Sequence, residues 1–474
     1  MTAGELLSLV VSVAILGFFV LIHLFYFFLL LASFAGAYRQ PRRARLLVPE
    51  QVLDSITTPP VTLLVPAHNE QASIIESVHA LLALRYPRLQ VIVINDGSTD
   101  NTLGELVPSF SLRRADLLAP PGVPTEPIRG VYLSRLEPCL LVLDKEPGGK
   151  SDALNAGLNY CRTPWVCTVD ADSLLEEDAL VRALRPALED ERVVATSGIV
   201  RIANGCRVAG GRVVQVGLPR ETLAAFQVVE YLRGFLQGRL GWSWLNGLLI
   251  ISGAFGLFRT DVLRAIGGYA RDTVAEDMEV VVRIHAYFRA RRQPYRVLFV
   301  PDPVCWTEAP ATAAGLARQR RRWQRGLAEV LAKHARLFFR PRLGLLGWLV
   351  LPYYVLELLA PAVELGGLLV VPLFWWLGWL STNVLFFYLV LAFLVGTVFS
   401  LWAILIEEFT YRRYTSWIDL ARLILFGLAD HFGYHQVVLW WRFQGLVEFF
   451  RGRREWGAQR RVGFRRRPAP ASRG

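Results

Sequence analysis

The chain has 474 residues, 53% of them hydrophobic, and a formal net charge of +12 at pH 7. A chain this apolar is a membrane protein that also carries a sizeable soluble part. The basic excess clusters beside apolar segments, at residues 39–45, 318–325 and 451–467, which favours anionic lipid headgroups as the partner and argues against nucleic acid. The five cysteines show no metal-ligand spacing, so we expect them to be small core residues.

The first apolar segment, residues 6–37, contains no formally charged side chain. It is longer than the ~20 residues that a membrane-spanning helix needs. It is also too long for a cleaved signal peptide, and residues 1–5 supply no basic side chain. Basic residues follow at 39–45, so the positive-inside tendency places the next domain in the cytoplasm.

The soluble part opens with a strand, a helix and a second strand. Residues 61–67 predict an apolar strand followed by a helix from about Gln71, and residues 91–94 predict another strand that runs into Asp96. An acidic residue at that strand end is typical of the nucleotide-binding half of an α/β domain. The first turn lacks a glycine-rich phosphate loop, which disfavours a dinucleotide fold. The proline-rich residues 113–130 predict a surface loop.

A third predicted strand, residues 140–143, leads to a turn with two glycines before a lysine. Gly148 and Gly149 precede Lys150 at the predicted start of a helix. Such a turn offers backbone N–H groups and a point charge to an anion. This turn is therefore a candidate anion-binding element.

Two carboxylates follow a short apolar strand predicted at residues 165–169. In a parallel sheet, ligands collect at the carboxyl ends of the strands, where Asp170 and Asp172 lie. Without a neighbouring base, this pair suits a divalent cation that already carries phosphate oxygens. The alternative is a loop with acidic helix caps, because a helix is predicted at residues 176–188.

The second half of the soluble part also predicts strands and helices. We expect strands that cross the active face at residues 196–216, an amphipathic helix at 223–240 and a strand at 250–259 whose small residues allow a close approach. Glu276 and Asp277 open the next predicted helix. Acidic residues at a helix start are often only dipole partners, so this position alone does not identify a catalytic group.

An arginine-rich helix follows the soluble part. It contains the run Gln-Arg-Arg-Arg-Trp at residues 319–323. A run of charges usually marks a solvated or lipid-facing surface. We therefore expect Arg320 and Arg321 to face solvent or lipid.

The remaining apolar segments predict membrane helices. Residues 343–380 are too long for one span and short for two, which indicates an interfacial or re-entrant helix up to Pro361 and then a span. Residues 384–406 predict a second span. Residues 419–450 form either a hairpin that dips into the bilayer or an amphipathic helix on its surface.

Seven motifs, in this order and between membrane segments, resemble those of the membrane-embedded family 2 glycosyltransferases, the group of cellulose, chitin, hyaluronan and poly-N-acetylglucosamine synthases. They are PAHNE at 66–70, NDGS at 95–98, GGKSDALNAG at 148–157, DAD at 170–172, SGAFGLFR at 252–259, AED at 275–277 and QRRRW at 319–323. The resemblance covers roughly residues 61–326 and extends to the flanking spans. Among relatives, the chain looks closest to the poly-N-acetylglucosamine synthase-like proteins.

The resemblance implies an α/β fold of the GT-A type, the nucleotide-diphospho-sugar transferase fold, in a cytoplasmic domain inserted between transmembrane helices. The domain organisation predicted from it is an N-terminal transmembrane helix at 1–38, a basic juxtamembrane linker at 39–60, the GT-A domain at 61–310, an amphipathic interface helix with QRRRW at 311–342, transmembrane and interfacial helices at 343–450 and a basic cytoplasmic tail at 451–474.

The resemblance also implies a role for each matching residue in an inverting transfer from a UDP-sugar. Asp277 is then the general base that deprotonates the acceptor hydroxyl, with Glu276 beside it. Asp170 and Asp172 present Mg²⁺ or Mn²⁺ to the diphosphate, Asp172 most directly. The other implied substrate contacts are Ala67, Glu70, Asp96 and Lys150 for the nucleotide, Ser252 and Gly253 in the acceptor pocket, and Gln319, Arg322 and Trp323, which close the site.

Three positions depart from or add to the family pattern. Asn95 replaces the first of the usual paired aspartates, which leaves Asp96 in place. Ala275 stands where many relatives carry threonine, so a hydroxyl contact is missing while the implied base remains. Residues 456–460 are similar to the C-terminal tryptophan-glycine motif of hyaluronan synthases and contact either the nucleotide site or the membrane surface.

The resemblance predicts a processive inverting transferase that extends a β-linked polysaccharide and threads it through its own membrane part. UDP-N-acetylglucosamine is the favoured donor, and the expected location is the plasma (inner) membrane, with several spans and a cytoplasmic catalytic domain. Expected partners are the growing glycan or a lipid acceptor, membrane lipids and an accessory membrane subunit. The main alternative adds one sugar to a lipid acceptor. A catalytically inactive scaffold or sensor is disfavoured because the motif residues are intact.

Overall fold

The computed structural model describes residues 3–44, 58–118 and 122–452. Much of the predicted basic linker and the motif at 456–460 lie outside the described residues. Strands dominate the centre of the soluble part. They are, in chain order, β1 (Val61–Ala67), β2 (Leu89–Asp96), β3 (Leu112–Arg114), β4 (Ile128–Ser134), β5 (Leu140–Lys145), β6 (Trp165–Thr168), β7 (Leu174–Leu175), β8 (Val193–Ile202), β9 (Arg207–Ala209), β10 (Arg212–Gln215), β11 (Gly256–Arg259) and β12 (Arg296–Thr307).

Ten of these strands form one mixed sheet in the order β3-β4-β5-β2-β1-β6-β11-β8-β12-β7, and β9 and β10 form a separate hairpin. Strands β5, β2, β1 and β6 pair in parallel. Every residue of β5 and β6 is buried, as expected for the strands of a covered parallel sheet. Because these strands run in one direction, the turns that follow β5 and β6 lie at the same edge of the sheet.

The helices of the soluble part connect these strands. They are α2 (Ile74–Leu82), α3 (Thr102–Ser109), α4 (Lys150–Tyr160), α5 (Ala179–Glu189), α6 (Thr222–Tyr231), α7 (Arg239–Trp244), α8 (Thr260–Ala265), α9 (Glu276–Arg291) and α10 (Ala313–Lys333). A π-helical segment, Leu232–Gly238, joins α6 to α7, so the amphipathic helix predicted at 223–240 consists of three consecutive pieces.

Parts of the soluble domain differ in detail from the sequence prediction. The expected loop at 113–130 is shorter, because β3 and β4 extend into its two ends and pair antiparallel. The stretch 196–216 was expected to cross the active face. Instead, its first part, up to Ile202, belongs to β8, a buried strand between β11 and β12, and the rest contains the hairpin of β9 and β10. At 250–259, only the last four residues form a strand.

Helices also make up the membrane part. They are α1 (Ala3–Ala44), α11 (Leu351–Trp376), α12 (Thr382–Leu389), α13 (Gly396–Thr410), α14 (Trp417–Ala429) and α15 (His435–Phe450). Within the described residues, three helical stretches are long and apolar enough to cross a membrane: Ala3–Gly36, Leu346–Trp376 and Thr382–Thr410. The span predicted at 384–406 is therefore confirmed as an apolar helix of spanning length.

The predicted break at Pro361 is wrong, because α11 continues through this residue. Sequence alone suggested a break because residues 343–380 are too long for one span and short for two. In the structure, Glu357 is satisfied inside the protein: its Oε1 accepts hydrogen bonds from Tyr26 Oη at 2.6 Å and Tyr353 Oη at 2.9 Å. A carboxylate with these partners does not need to leave the helix bundle for water.

The last two helices, α14 and α15, are joined by a kink. Phe432 and Gly433 leave helical geometry there, and Gly433 has a φ of 112°, which favours glycine. Helix α15 packs closely on α10, because a Cβ at Gly445 would lie only 2.5 Å from the carbonyl oxygen of Arg321. The segment at 419–450 is thus a kinked helix pair that packs against the arginine-rich helix.

Candidate active site

A cavity of about 1300 Å³ extends from the carboxyl edge of the sheet to the membrane helices. Its soluble end is lined by Lys150, Asp170 and Asp172, which follow strands β5 and β6, together with the first residues of α9. Its other end is lined by membrane-helix residues, which include Tyr26 and Glu364. The sheet edge and the candidate membrane helices therefore line one continuous cavity.

Lys150 is the cation at the soluble end of the cavity. Its Nζ lies 2.6 Å from Asp170 Oδ1 and 3.5 Å from Glu276 Oε1. Burial alone would lower the pKa of Lys150, but the carboxylates of Asp170 and Glu276 outweigh it and raise that pKa above its ordinary value. The ammonium therefore remains charged, and it draws together two carboxylates from distant parts of the chain.

Two glycines allow Lys150 to take its position and to pack closely against its neighbours. Gly149, with a φ of 86°, allows the turn that places Lys150 at the start of α4. A Cβ at Gly253 would lie 2.6 Å from Lys150 Nζ. The predicted acceptor-pocket residues Ser252 and Gly253 thus line the same cavity as the lysine.

Glu276 and Asp277 are the first two residues of α9, and both line the cavity. Burial raises the pKa of Glu276; Lys150 opposes this shift, whereas the negative charge of Asp277 adds to it. The Oδ1 of Asp277 accepts a hydrogen bond from the backbone N–H of Met278 at 2.9 Å. This contact fixes the carboxylate at the positive end of the helix, where negative charge is favourable.

Asp170 and Asp172 are suited to a divalent cation only when other ligands complete the coordination. Among the residues that the structure describes, no group of three or more His, Cys, Asp or Glu side chains is arranged to hold a metal ion. Mg²⁺ and similar cations are commonly held by one or two carboxylates plus substrate phosphates and water. Two aspartates beside a cavity large enough for a nucleotide sugar meet that requirement.

Asp96, expected to bind the nucleotide, is buried beneath the glycine-lysine turn. Its carboxylate pairs with Lys145 Nζ at 2.7 Å and accepts hydrogen bonds from the N–H groups of Gly148 at 2.9 Å and Gly149 at 2.7 Å. These contacts stabilise the turn that precedes Lys150. An aspartate at this strand end thus has a structural role that the sequence motif did not reveal.

The cavity formed by the described residues is not lined by three of the implied nucleotide contacts, Ala67, Glu70 and Asp96. Ala67 is buried, and Glu70 accepts a hydrogen bond from Ser73 Oγ at 2.8 Å. The nucleotide contacts implied for these three residues stay predictions. The other implied site residues all line one cavity: Lys150, Asp170, Asp172, Ser252, Gly253, Glu276, Asp277, Gln319, Arg322 and Trp323.

Trp323 lies at the centre of an aromatic group. Its ring centroid is 6.0 Å from that of Phe235 and 6.4 Å from that of Tyr231. The guanidinium of Arg320 covers the tryptophan ring at 4.3 Å. This arrangement leaves 37% of Trp323 exposed, so part of the ring can contact a ligand.

The prediction that Arg320 and Arg321 face solvent or lipid is wrong for Arg320, whereas Arg321 is partly exposed. Arg320 is only 1% exposed, and its Nη2 lies 2.6 Å from Glu230 Oε2 on α6. Arg321 pairs with Glu448 on α15 at 3.2 Å. Both arginines are held by carboxylates from other helices, which sequence reasoning about a local charge run could not include.

Sequence reasoning also missed Glu230 and Arg239. A charged residue inside an otherwise apolar helix was the available signal for each of them. Arg239 stacks on Phe235 at 4.2 Å, and its Nη1 is buried with no hydrogen-bond partner among the described residues. Burial lowers the pKa of Arg239 to about 10, with Asp277 opposing the shift, so the guanidinium is still charged at neutral pH.

Comparison with known proteins agrees with this fold. A model of glycosyltransferase like family 2 matches residues 138–326, and a model of glycosyl transferase family 2 matches residues 62–110. A probable glycosyltransferase of Bacillus subtilis is 30% identical over 287 residues, 60% of this chain and 58% of the relative. The poly-beta-1,6-N-acetyl-D-glucosamine synthase of Staphylococcus epidermidis is 26% identical over 274 residues, 58% of this chain and 56% of the relative.

These matches span just over half the length of the curated relatives. Among solved structures, a mannosyltransferase from Pyrobaculum calidifontis, in complex with GDP-Man and Mn²⁺, superposes with a TM-score of 0.52 at 18% identity and covers 95% of this chain and 100% of its own. At that identity, the similarity shows the fold alone. The chain belongs to the family 2 glycosyltransferases, and its GT-A-like α/β domain is flanked by candidate membrane helices.

Proposed function

We propose that this glycosyltransferase moves sugars from a UDP-sugar to an acceptor hydroxyl with inversion, and that it extends a β-linked polysaccharide processively. The observation that carries the proposal is the cavity that joins the carboxylates of the sheet edge to the membrane helices. A product that stays bound while it grows needs a continuous path away from the reacting groups. UDP-N-acetylglucosamine is the favoured donor because the staphylococcal relative is a poly-N-acetylglucosamine synthase.

The catalytic step needs a base on the acceptor side and positive charge on the leaving diphosphate. Asp277 is the proposed base, and its position at the start of α9 beside Glu276 supports this role. Asp172 and Asp170 would hold Mg²⁺ or Mn²⁺, which when bound neutralises charge on the departing diphosphate. Lys150 holds Asp170 in place through their 2.6 Å contact.

The proposed acceptor site lies at Gln319 and Trp323, and the family resemblance assigns Arg322, on the same helix, to the diphosphate. Part of the tryptophan ring is exposed and lies among other aromatic rings, which suits stacking on the apolar face of a sugar. Ser252 and Gly253 line the cavity between this group and Lys150. The nucleotide would extend toward Ala67, Glu70 and Asp96, as the family resemblance implies.

Polar groups continue along the cavity to the level of the membrane helices. Glu364 Oε2 pairs with His435 Nε2 at 3.0 Å, and Glu357 pairs with Arg442 at 3.4 Å. Ionisable residues are rare between membrane helices and usually line a substrate path. We infer that these residues offer hydrogen bonds to the hydroxyl groups of a translocating glycan.

The proposed topology follows from charge and helix length. The basic residues after the first span favour a cytoplasmic catalytic domain, and the three candidate spans favour a multi-pass protein of the plasma (inner) membrane. Membrane lipids are then direct neighbours of the exposed apolar helices. An accessory membrane subunit would complete the glycan path if these spans alone do not enclose it.

A second candidate function is the transfer of a single sugar to a lipid acceptor. The cavity wall favours it in one respect, since Phe19, Ile22 and Leu29 of α1 form an apolar lining. An acyl or prenyl chain could lie along such a surface.

The experiment uses the full chain, purified in nanodiscs with Mn²⁺ and a panel of radiolabelled UDP-sugars. UDP release and product size are measured together. A long polymer from one donor supports the processive function and identifies the sugar. A single sugar on extractable lipid supports the second candidate. Absence of transfer from every donor by folded protein contradicts both.

A further inference from the structure

Three side chains from three separate helical elements meet beside the proposed acceptor site, and two of them, Glu230 and Arg320, also line the cavity. Glu230 Oε2, on α6, lies 2.6 Å from Arg320 Nη2 on α10 and accepts a hydrogen bond from Tyr434 Oη at 2.8 Å. Tyr434 lies in the kinked segment that joins α14 to α15. Its ring also stacks on Phe226 at 4.7 Å and 9°, which fixes the direction of the hydroxyl.

Arg320 connects this cluster to two residues of the proposed site. Its Nη1 donates a hydrogen bond to Gln319 Oε1 at 2.8 Å, and its guanidinium covers the Trp323 ring at 4.3 Å. The planar guanidinium holds both groups at once, because it offers separate donors and a flat face. With 1% of its surface exposed, Arg320 has little freedom to leave this geometry.

The surrounding helix contacts hold α10 against α15. Arg442 Nε donates a hydrogen bond to Gln324 Oε1 at 2.8 Å, and Arg321 pairs with Glu448 at 3.2 Å. The close approach at Gly445 leaves no room for a larger side chain. The position of α10, and with it the proposed acceptor site, therefore depends on the last two helices.

We propose that Glu230, Arg320 and Tyr434 form a positioning relay that sets the orientation of Gln319 and Trp323. Through this relay, the kinked helix pair at the membrane controls acceptor binding without touching the donor. The inference rests on the proposed function, because it takes Gln319 and Trp323 as acceptor contacts. All three are positioning residues: Glu230 and Tyr434 act through Arg320, and Arg320 contacts Gln319 and Trp323, which meet the acceptor.

The relay predicts a separation between acceptor binding and donor chemistry. Tyr434→Phe keeps the ring that stacks on Phe226 and removes only the hydroxyl. We expect the acceptor KM to rise about three- to tenfold, in line with the net contribution of one ordinary intramolecular hydrogen bond, while kcat and hydrolysis of the UDP-sugar without acceptor are unchanged. Tyr160→Phe, which removes a hydroxyl bonded to Leu117 on the soluble domain, is the matched control.

A double variant tests whether the residues act as one unit. Glu230→Gln should raise the acceptor KM more than Tyr434→Phe does, because it removes the charge that holds Arg320. The double variant should be no worse than Glu230→Gln alone, since both changes act at the same carboxylate. Arg320→Lys should also raise the acceptor KM above that of wild type, because a lysine lacks the planar fork and the flat face that covers the Trp323 ring.

Hydrogen exchange gives a readout that does not need turnover. The peptide covering residues 319–323 should exchange faster in Glu230→Gln and Tyr434→Phe than in wild type or Tyr160→Phe. An unchanged acceptor KM together with unchanged exchange would overturn the relay, as would an equal loss of donor hydrolysis. Failure of the proposed function appears differently, as wild-type protein that transfers no sugar while the exchange difference persists.

Discussion

The two ends of the cavity are built in different ways. At the proposed donor end, Lys150, Asp170 and Glu276 each lie within a few residues of a strand end or at a helix start. At the proposed acceptor end, the side chains of the proposed relay come from far apart: Arg320 and Glu230 are 90 residues apart, and Tyr434 and Glu230 are 204 residues apart. Local motifs thus place the charged groups of the donor end, whereas tertiary pairing shapes the acceptor end.

The two ends of the cavity also differ in their electrostatic character. The donor end gathers several carboxylates around one ammonium, so it has negative charge available for a cation. At the acceptor end, the charge of Arg320 is balanced by Glu230 and its guanidinium lies on an aromatic ring. We therefore expect substitutions at the donor end to change the chemical step and substitutions at the acceptor end to change acceptor affinity.

The largest expected effect is that of Asp277→Asn. If Asp277 is the base, this variant loses transfer by a factor on the order of 10³, within the range for general-base catalysis, while UDP binding is retained. Asp272→Asn, at an exposed aspartate paired with Lys333, is the control. Substantial polymer synthesis by Asp277→Asn, measured as incorporated radiolabel, would exclude Asp277 as the base.

Asp172→Asn tests the cation site at the same end. Loss of one of two carboxylates should weaken Mn²⁺ binding and reduce transfer by about 10²-fold, since a metal contributes several kcal/mol of charge stabilisation. Binding of Mn²⁺ is measured by electron paramagnetic resonance with UDP present, which needs no turnover. Asp178→Asn, which removes a carboxylate paired with Arg182 outside the cavity, should leave Mn²⁺ binding unchanged. Equal Mn²⁺ affinity in Asp172→Asn and wild type would place the metal elsewhere.

The donor end illustrates how far the sequence could predict the site. Ligands of parallel sheets bind where strands end, so the strand pattern alone assigns the residues after β5 and β6 to one edge. Lys150, Asp170 and Asp172 do line one cavity. Asp96 satisfies the same rule, yet its carboxylate braces the glycine-lysine turn. The rule predicts which edge a residue reaches, but not whether its side chain points toward a ligand or toward a neighbouring turn.

The acceptor end and the membrane helices illustrate the limit of such prediction. Arg320 looked like a surface charge because its counter-charge, Glu230, lies on another helix. Glu357 interrupted an apolar segment that was too long for one span, yet its partners Tyr26 and Arg442 come from α1 and α15. In both cases, a local pattern was overruled by a distant side chain that satisfied a charge. Such pairings carry no motif, so only the tertiary structure reveals them.

A smaller effect is expected from Gly253→Ala, which adds one methyl group between the two ends. The new Cβ would lie 2.6 Å from Lys150 Nζ, so the ammonium must move away from its position against Asp170. We expect about a tenfold loss of kcat, consistent with a weakened charge-assisted hydrogen bond. Gly366→Ala is the control, because a Cβ there meets nothing within 4 Å among the described atoms and the residue does not line the cavity. A wild-type kcat for Gly253→Ala would show that the position of Lys150 is not critical.

The smallest expected effect separates the two ends most directly. Trp323→Ala removes the partly exposed ring of the acceptor end and leaves the donor carboxylates in place. We expect the acceptor KM to rise about three- to tenfold, as for the loss of one aromatic contact, and donor hydrolysis to stay near the wild-type rate. The acceptor KM of Trp323→Phe should lie between those of wild type and Trp323→Ala, because a smaller ring keeps part of the stacking surface.

The control for this last variant is Trp348→Ala, since Trp348 packs edge-on against Phe339 outside the cavity. Its acceptor KM should equal that of wild type. Equal losses of transfer and donor hydrolysis in Trp323→Ala would mean that the ring only packs the helices together. A selective loss of transfer would mean that the acceptor end works as a binding surface whose chemistry is supplied entirely from the other end of the cavity.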